Sequence, residues 1–384
     1  MDDMIREFIK AKKATMLCSG PMSKNCIDAA IELSNELRVP QILIASRRQI
    51  DSSELGGGYV ENFDTHSFAN YVRSKKSDNI FIARDHGGPW QSLVEQNSNL
   101  NVSDSMKSAK KSFETDILSG FDFIHIDPSI PIQNENLTIE QILSRLFELY
   151  GYTYEFAKQN NRNIEFELGT EEQNGYAQDL EKFEYFLNEV QKFCIKNKVT
   201  KPTFVVAQTG TKVMEMQNIG IFGSNLNESK KISLNILLKT LEICNKFDVL
   251  LKEHNTDYLS DEALALRPII GIHASNVAPE FGVIETKALL YILKMFGYDE
   301  EFNFFIQTAL SSNKWKKWML KNSKATDIDK AIICGHYIFA NESIKNMRDK
   351  VSRELIVKNI DLDNYLKRII KQAMTRYIRL FKMV

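Results

Sequence analysis

The chain has 384 residues, 43% of them hydrophobic, and a formal net charge of −1, which gives no reason to expect nucleic acid or an anionic membrane as a partner. Its five scattered cysteines include no Cys-x-x-Cys pair, which argues against a thiolate zinc site and for reduced thiols. No apolar run of signal-peptide or membrane length follows the charged residues 1–13, so we predict a cytoplasmic protein.

Eight short apolar runs recur along the first 275 residues, and a helical pattern follows most of them. Most of the runs lack strict alternation with polar residues, as is typical of parallel strands that are buried on both faces. The predicted strands are Ala14–Cys18, Gln41–Ala45, Asn79–Ala83, Phe121–Ile126, Ile164–Leu168, Thr203–Ala207, Val249–Leu251 and Ile269–Ile272.

Amphipathic segments lie between these runs and predict helices. They include Asn25–Leu37, Ser105–Leu118, Thr138–Lys158, Ala177–Lys196 and Leu234–Lys246. Eight strand–helix repeats favour a closed (β/α)8 TIM barrel over a doubly wound open sheet. After residue 296 the sequence becomes helix-like, so we predict a barrel at 1–295 and a helical C-terminal extension at 296–384 that packs on it, as a cap or an oligomer contact.

Polar residues follow each predicted strand, at the barrel face where catalytic groups are found in this fold. Four of the six histidines are at such positions, namely His86, His125, His254 and His273. The other candidates at these strand ends are Ser19, Arg47, Asp85, Glu167, Glu171, Glu172, Gln208, Lys212, Lys252, Ser275 and Asn276.

Imidazole and carboxylate ligands suit a divalent metal such as zinc, manganese, cobalt or iron. The sequence therefore predicts a metal site at this face, built from the clustered histidines and carboxylates. An ion held there would act as a Lewis acid on a substrate carbonyl. The candidate catalytic residues are Asp85, Glu167 and Lys252.

Glycine-rich segments at the same face offer backbone N–H groups to a phosphate. Gly57 and Gly58 follow the second run, and Ser275-Asn276 follows the eighth. We predict that substrate or phosphate binding uses these residues together with Ser19, Arg47, Gln208, Lys212 and His273. A Walker motif and a Gly-x-Gly-x-x-Gly motif are both missing from the sequence, so a nucleotide is not implied.

Several strings resemble the family of the class II D-tagatose-bisphosphate aldolase accessory (non-catalytic) subunit. They are GGGY at 56–59, ARDHGGP at 83–89, FIHID at 123–127, LKEHNTDYLS at 251–260, GIHASNVAPEFG at 271–282 and DKAIICGHY at 329–337. That family resembles the zinc-dependent ketose-bisphosphate aldolases, so the resemblance implies a (β/α)8 barrel and a sugar phosphate substrate.

In those aldolases an Asp-His pair follows one strand, where the Asp moves the proton of the substrate hydroxyl and the His binds zinc. The resemblance assigns these roles to Asp85 and His86, a second metal ligand to His254 and a carboxylate to Glu167. The aldolases have a further zinc-binding His after strand six, where this chain has Gln208 instead. Either His125, Glu167 or Gln208 completes the metal site, or no catalytic zinc is held.

Three functions follow from these residues. The first is a metal-dependent aldolase that makes or breaks the C3–C4 bond of a ketose phosphate through a metal-stabilised enediolate. The second is a ketose-phosphate 4-epimerase that uses the same retro-aldol chemistry. The third is a non-catalytic subunit that stabilises a tagatose-bisphosphate aldolase. The partners expected are a phosphorylated sugar and either further copies of this chain or a catalytic aldolase subunit.

Overall fold

The structure is a computed structural model that describes residues 2–169, 178–222 and 229–384. Glu171 and Glu172, which follow the fifth predicted strand, lie outside the described residues. The strands of the described part are β1 (Met16–Ser19), β2 (Gln41–Ser46), β3 (Ile80–Gly87), β4 (Phe123–Ile126), β5 (Glu165–Gly169), β6 (Phe204–Val206), β7 (Val213–Met214), β8 (Gln217–Asn218), β9 (Leu250–Glu253) and β10 (Ala274–Val277).

Eight of these strands form a closed parallel barrel in the order β1-β10-β9-β6-β5-β4-β3-β2. The other two, β7 and β8, pair antiparallel as a small hairpin after β6. Helices follow the barrel strands along the chain, which confirms the predicted (β/α)8 TIM barrel. The barrel strands are short and almost wholly buried, because helices cover their outer face and side chains fill the interior.

The helices alternate with the strands and then continue alone to the end of the described chain. They are α1 (Asp2–Lys12), α2 (Lys24–Leu37), α3 (Thr65–Ser74), α4 (Leu93–Asn97), α5 (Val102–Ser119), α6 (Ile139–Gln159), α7 (Leu180–Asn197), α8 (Ser229–Phe247), α9 (Asp261–Ile270), α10 (Pro279–Met295), α11 (Asp299–Ser311), α12 (Asp327–Cys334), α13 (Glu342–Ile356) and α14 (Leu362–Leu380). Many begin where a side chain caps the first turn, as Ser23 does for α2 and Thr138 for α6.

The position predicted for the eighth strand is wrong. Ile269 and Ile270 end helix α9, and Gly271 stops that helix with a φ of 93°, a left-handed conformation that glycine adopts without strain. The strand itself is β10, which begins three residues later at Ala274. A short apolar run next to a helix end has the composition of either element, and here the exposed side chain of Ile269 belongs to the helix.

The C-terminal region is helical, as predicted, but its last helix is part of the barrel wall. α14 packs against α2, α9, α10 and β1, and so occupies a position in the outer ring beside α2. Its side chains Ile370, Met374, Tyr377 and Ile378 are buried in the core cluster of the barrel. A second core cluster joins α10 with α11, α12 and α13. The division at residue 295 remains a prediction.

All five cysteines lie in described residues, and each is buried and free of a disulfide. Within the described ranges, no helix has both the length and the apolar character that crossing a bilayer requires.

Candidate metal centre

A local distortion of β3 brings two adjacent side chains, those of Asp85 and His86, to the same pocket. Neighbouring residues of a regular strand point to opposite faces. Here the pairing of β3 with β4 shifts register between Arg84 and Gly87, and His86 has a φ of +45°, in the left-handed region. A bulge of this kind re-aims a side chain and is common beside active sites. Both Asp85 and His86 therefore line the pocket at the mouth of the barrel.

Four buried side chains from four strand ends converge beneath this pocket. Asp85, His125, Glu167 and His254 each offer one ligand atom, and these atoms lie within 4.8 Å of one another. His254 Nε2 is 3.4 Å from Glu167 Oε1 and 3.7 Å from Asp85 Oδ1. His125 Nδ1 is 3.5 Å from Glu167 Oε1. Gly169 leaves room for His125, since a Cβ there would lie 2.6 Å from its Nε2.

Glu167 is held in its ionised form by a buried cation. Lys252 Nζ donates to Glu167 Oε2 at 2.5 Å, and both side chains are almost completely buried. Burial opposes ionisation of Glu167, but the charges of Lys252 and His125 lower its pKa to about 2. The same ion pair outweighs burial and raises the pKa of Lys252. Lys252 does not line the pocket. It supports the carboxylate of Glu167, which faces the centre.

Asp85 is also kept ionised. Burial opposes its charge, but His86 and His254 lower its pKa well below the usual value. Asn276 Nδ2 donates to Asp85 Oδ1 at 3.1 Å, so β10 contributes a neutral donor to the cluster. A carboxylate that is both ionised and oriented can serve as a metal ligand or as a base.

His86 lies between the cluster and a further carboxylate. Its Nδ1 is 2.9 Å from Asp127 Oδ2, and its Nε2 is 3.2 Å from His254 Nδ1. The hydrogen bond from His86 lowers the pKa of Asp127 against the effect of burial. His86 keeps 25% of its side-chain surface exposed, in contrast to the buried His125 and His254. The arrangement gives an oriented imidazole that substrate can reach.

The residues present fit a divalent ion. Two imidazoles and two carboxylates form a donor set that suits zinc, manganese, cobalt or iron. Within the described residues, His125 Nε2 and Asn276 Oδ1 are buried without a hydrogen-bond partner, so the polar groups of the centre are not all satisfied by the protein alone. His125, on β4, is the second buried imidazole of this group.

The centre opens into a cavity of about 500 Å³, which is large enough for a small phosphorylated sugar. Asp85, His86, Asp127, His254 and Asn276 form its inner wall. The outer wall includes residues from the loop after β2, from the segment between α11 and α12, and from the turn after α12. Those with charged or aromatic side chains are Arg48, Tyr59, Lys314, Lys317, Trp318 and Tyr337.

Three residues predicted for phosphate binding point away from this cavity. Ser275 donates to Glu253 Oε1 at 2.8 Å, and that carboxylate pairs with Arg267 of α9, so Ser275 joins the barrel to its outer helix. Ser19 donates to the side chain of Gln41. Arg47 is fully buried between Asp51 and Glu95, at 2.8 and 2.6 Å. These contacts use the polar groups that a phosphate would need.

His273 lies at the opposite end of the barrel, and its prediction as a rim residue is wrong. It precedes β10, and its Nδ1 accepts a hydrogen bond from Leu251 N at 3.0 Å, near the beginning of β9. Burial lowers its pKa to about 4. The misplaced eighth strand accounts for the error, since His273 follows the apolar run that proved to be helical.

The remaining predicted residues lie in loops outside the cavity wall. Gln208 follows β6, and its backbone N–H donates to the side chain of Gln178. Lys212 precedes the β7–β8 hairpin. A Cβ on Gly57 would meet no atom within 4 Å, whereas a Cβ on Gly58 would lie 2.0 Å from the carbonyl oxygen of Gln49. The next residue, Tyr59, does line the cavity.

Several residues at the cavity were missed by the sequence reasoning. Arg48 follows Arg47 directly, and the strand pattern does not say which of the two faces the cavity. Asp257 lies in the LKEHNTDYLS string but was given no role. Lys317 and Trp318 lie in the helical extension, and nothing in their local pattern indicates that this segment folds over the barrel mouth.

No protein-family model matches the sequence, and no curated protein matches it. Among solved structures, a probable tagatose 6-phosphate kinase from Sinorhizobium meliloti is similar to the chain, with a TM-score of 0.75 and 14% identity, over 95% of this chain and 100% of that one. A fructuronate-tagaturonate epimerase from Cohnella laeviribosi has a TM-score of 0.60 at 12% identity, over 96% of this chain and 82% of that one.

A fructose-bisphosphate aldolase from Campylobacter jejuni is similar to the whole of this chain and to 95% of its own, with a TM-score of 0.54 and 12% identity. At such identities the likeness shows a shared fold alone. It agrees with the (β/α)8 barrel that the resemblance implies, and it does not show the accessory-subunit family.

Proposed function

We propose that the protein is a divalent-metal-dependent enzyme that makes or breaks a carbon–carbon bond in a ketose phosphate. The observation that carries the proposal is the convergence of Asp85, His125, Glu167 and His254 under a cavity of about 500 Å³. Structural homologues named as a fructose-bisphosphate aldolase and a fructuronate-tagaturonate epimerase agree with such chemistry on a keto sugar.

The four converging side chains would hold the ion, which would act as a Lewis acid on the substrate carbonyl when bound. Zinc suits the mixed nitrogen and oxygen ligands, and manganese, cobalt and iron are alternatives. Lys252 keeps Glu167 ionised from below. Asn276 fixes the orientation of Asp85 through its amide. These two residues would position ligands and would not themselves touch the reacting atoms.

His86 would carry the proton to and from the substrate hydroxyl. The resemblance gives that task to Asp85 and metal binding to His86, but Asp85 belongs to the tight group of four, and His86 is the more exposed of the two. The contact with Asp127 orients the His86 ring, as a proton-transferring imidazole requires. We therefore infer that the two adjacent residues exchange these roles in this chain.

Epimerisation at C4 is the second candidate, because retro-aldol cleavage followed by re-addition uses the same groups. The similarity to a fructuronate-tagaturonate epimerase, with a TM-score of 0.60, favours including it. A non-catalytic role was suggested by the lack of a histidine after strand six. His125 offers an imidazole in its place, so the lack of that histidine no longer favours a non-catalytic role.

The proposal is tested with the purified full chain, loaded with zinc or manganese and assayed on D-fructose and D-tagatose phosphates. We expect about one bound ion per chain and release of a triose phosphate, or formation of an epimer alone if the second candidate holds. His254→Ala should weaken metal binding at least about tenfold, since it removes a ligand. His66→Gln is the matched control, because His66 is an exposed histidine on α3.

The role of His86 is tested in the same assay. His86→Gln should keep the metal but lose turnover by about 100-fold or more, the usual contribution of a positioned acid or base. A variant that loses metal and turnover together would return His86 to the ligand set. A wild-type chain that binds no divalent ion, or that acts on none of these sugars with the ion bound, would contradict the proposed function.

A further inference from the structure

We propose that Arg48, Lys314 and Lys317 form the subsite for the phosphate group of the substrate, at the outer end of the cavity. The inference rests on the proposed function and adds to it the residues that select a phosphorylated sugar. Arg48 lies in the loop after β2, while Lys314 and Lys317 come from the C-terminal extension between α11 and α12. All three line the same cavity as Asp85, His86 and His254.

These three cations lack acidic partners. Within residues 2–169, 178–222 and 229–384, no carboxylate oxygen lies within 4 Å of their charged groups, and Arg48 donates only to the neutral carbonyl of Gln91 at 3.3 Å. The neighbouring Arg47 pairs with two carboxylates. Cations gathered in a cavity without counter-charges favour an anionic ligand.

The positive charges also act on one another. Desolvation and the charge of Arg48 lower the pKa of Lys317 to about 8, although much of the Lys317 side chain stays exposed. Burial likewise lowers the pKa of Arg48. A cation whose charged form is destabilised by burial and by a neighbouring cation is stabilised when a dianion binds beside it, and a phosphate monoester is such a dianion near neutral pH.

An aromatic wall holds Lys317 in place. Its Nζ lies 4.9 Å from the ring centroid of Trp318 and 5.0 Å from that of Tyr337, a cation–π arrangement. Tyr59 packs on Tyr337 with ring centroids 4.6 Å apart. Trp318 Nε1 is buried next to Tyr337 and adds an N–H donor to this wall.

The cavity is therefore polarised. Carboxylates and imidazoles occupy its inner wall, where a phosphate would be repelled by Asp85 and Asp127. Cations occupy its outer wall. A ketose phosphate fits this polarity when its phosphate lies beside Arg48 and Lys317 and its carbonyl and hydroxyl groups point toward the metal centre.

The test is calorimetric titration of inorganic phosphate into the full chain at pH 7 after removal of divalent ions by a chelator. We expect Arg48→Gln and Lys317→Gln each to weaken phosphate binding at least about tenfold, because each removes a charge-assisted contact. Lys316→Gln is the matched control, since Lys316 is exposed, contacts Trp315 and does not line the cavity. Its phosphate affinity should equal that of the wild type. Circular dichroism and thermal midpoints identify any variant that is misfolded.

The inference is overturned if phosphate binds equally to the wild type and to both cavity variants, or if about 10 mM phosphate gives no binding to the wild type, a level that detects even millimolar affinity. It is also overturned if D-glucuronate displaces phosphate at equal concentration, since the subsite would then take a carboxylate. Because the titration needs neither metal nor turnover, phosphate binding by an inactive chain would refute the proposed function alone.

Discussion

Asp257, on the cavity wall, has the surroundings of a carboxyl group that stays protonated near neutral pH. Burial and then the nearby charge of Glu280 raise its pKa from 3.8 to about 7. Its Oδ1 accepts hydrogen bonds from the backbone N–H groups of Ala278 and Glu280 at the start of α10. Tyr258 and Tyr377 also lie near the pair.

The raised pKa makes stability depend on pH. Between about pH 4 and 7 the folded chain keeps a proton that the unfolded chain has released, so the contribution is complete below about pH 4 and is lost as the pH rises through 7. We expect Asp257→Asn, which keeps the accepting oxygen, to remove this dependence. The wild type should lose up to about 1.4 kcal/mol per pH unit relative to the variant. Urea unfolding at pH 5 and pH 7 measures the difference, and parallel curves for the two proteins would contradict it.

At two places in this fold, adjacent residues have different surroundings: one lines the cavity, and its neighbour is buried in the protein core. Asn276 faces Asp85, while Ser275 faces Glu253 behind the strand. Arg48 lines the cavity, while Arg47 is buried among carboxylates. The sequence could place these pairs at strand ends, but the choice of face depends on the exact first residue of the strand and on the loop geometry, which apolar patterns do not determine.

At the scale of elements, α14 is buried too deeply to be a surface appendage of the barrel. Met374 is completely buried in the core cluster of the barrel. Met374→Ala should lower the free energy of unfolding by about 2–5 kcal/mol, the usual cost of truncating a buried large side chain. Gln372→Ala, at an exposed position of the same helix, should change it by less than about 0.5 kcal/mol. Equal urea midpoints for the two variants would show that α14 contributes little to the barrel.

Seven strands could be predicted because each is a short apolar run followed by an amphipathic helix, as Gln41–Ser46 and α3 are. The eighth could not, since Ile269 and Ile270 have the composition of a strand but lie in the last turn of α9. The bulge in β3 could not be predicted from the sequence either, because it depends on the pairing of β3 with β4. The position of α14 in the outer ring depends on contacts with distant parts of the chain, and no local sequence pattern indicates it.

At the scale of the whole molecule, the metal centre concentrates buried carboxylates that one lysine only partly compensates. Asp85, Asp127 and Glu167 are all ionised, and among the described residues the salt bridge of Lys252 is with Glu167. A bound divalent ion would stabilise the folded chain by mass action, by about 2.7 kcal/mol at a hundredfold excess over Kd.

We therefore expect zinc or manganese to raise the thermal midpoint by several degrees, about 3 °C or more, and a chelator to reverse the change. Glu167→Gln should abolish most of the shift. The exposed Glu262→Gln is its control, because Glu262 lies on α9 away from the centre. Differential scanning calorimetry gives the midpoints, and equal shifts in both variants would place the ion elsewhere.

The position of α14 also has a consequence for synthesis on the ribosome. Thr15 N donates to the carbonyl of Phe381 at 3.0 Å, and Leu17 N to Met383 Sδ at 3.4 Å, so the beginning of β1 is completed by residues synthesised more than 360 positions later. A nascent chain can assemble earlier strand–helix units as they emerge, but it must leave β1 and α2 partly uncovered until residue 383 clears the exit tunnel. During that interval the apolar side chains of the first strand are open to chaperones and to neighbouring nascent chains.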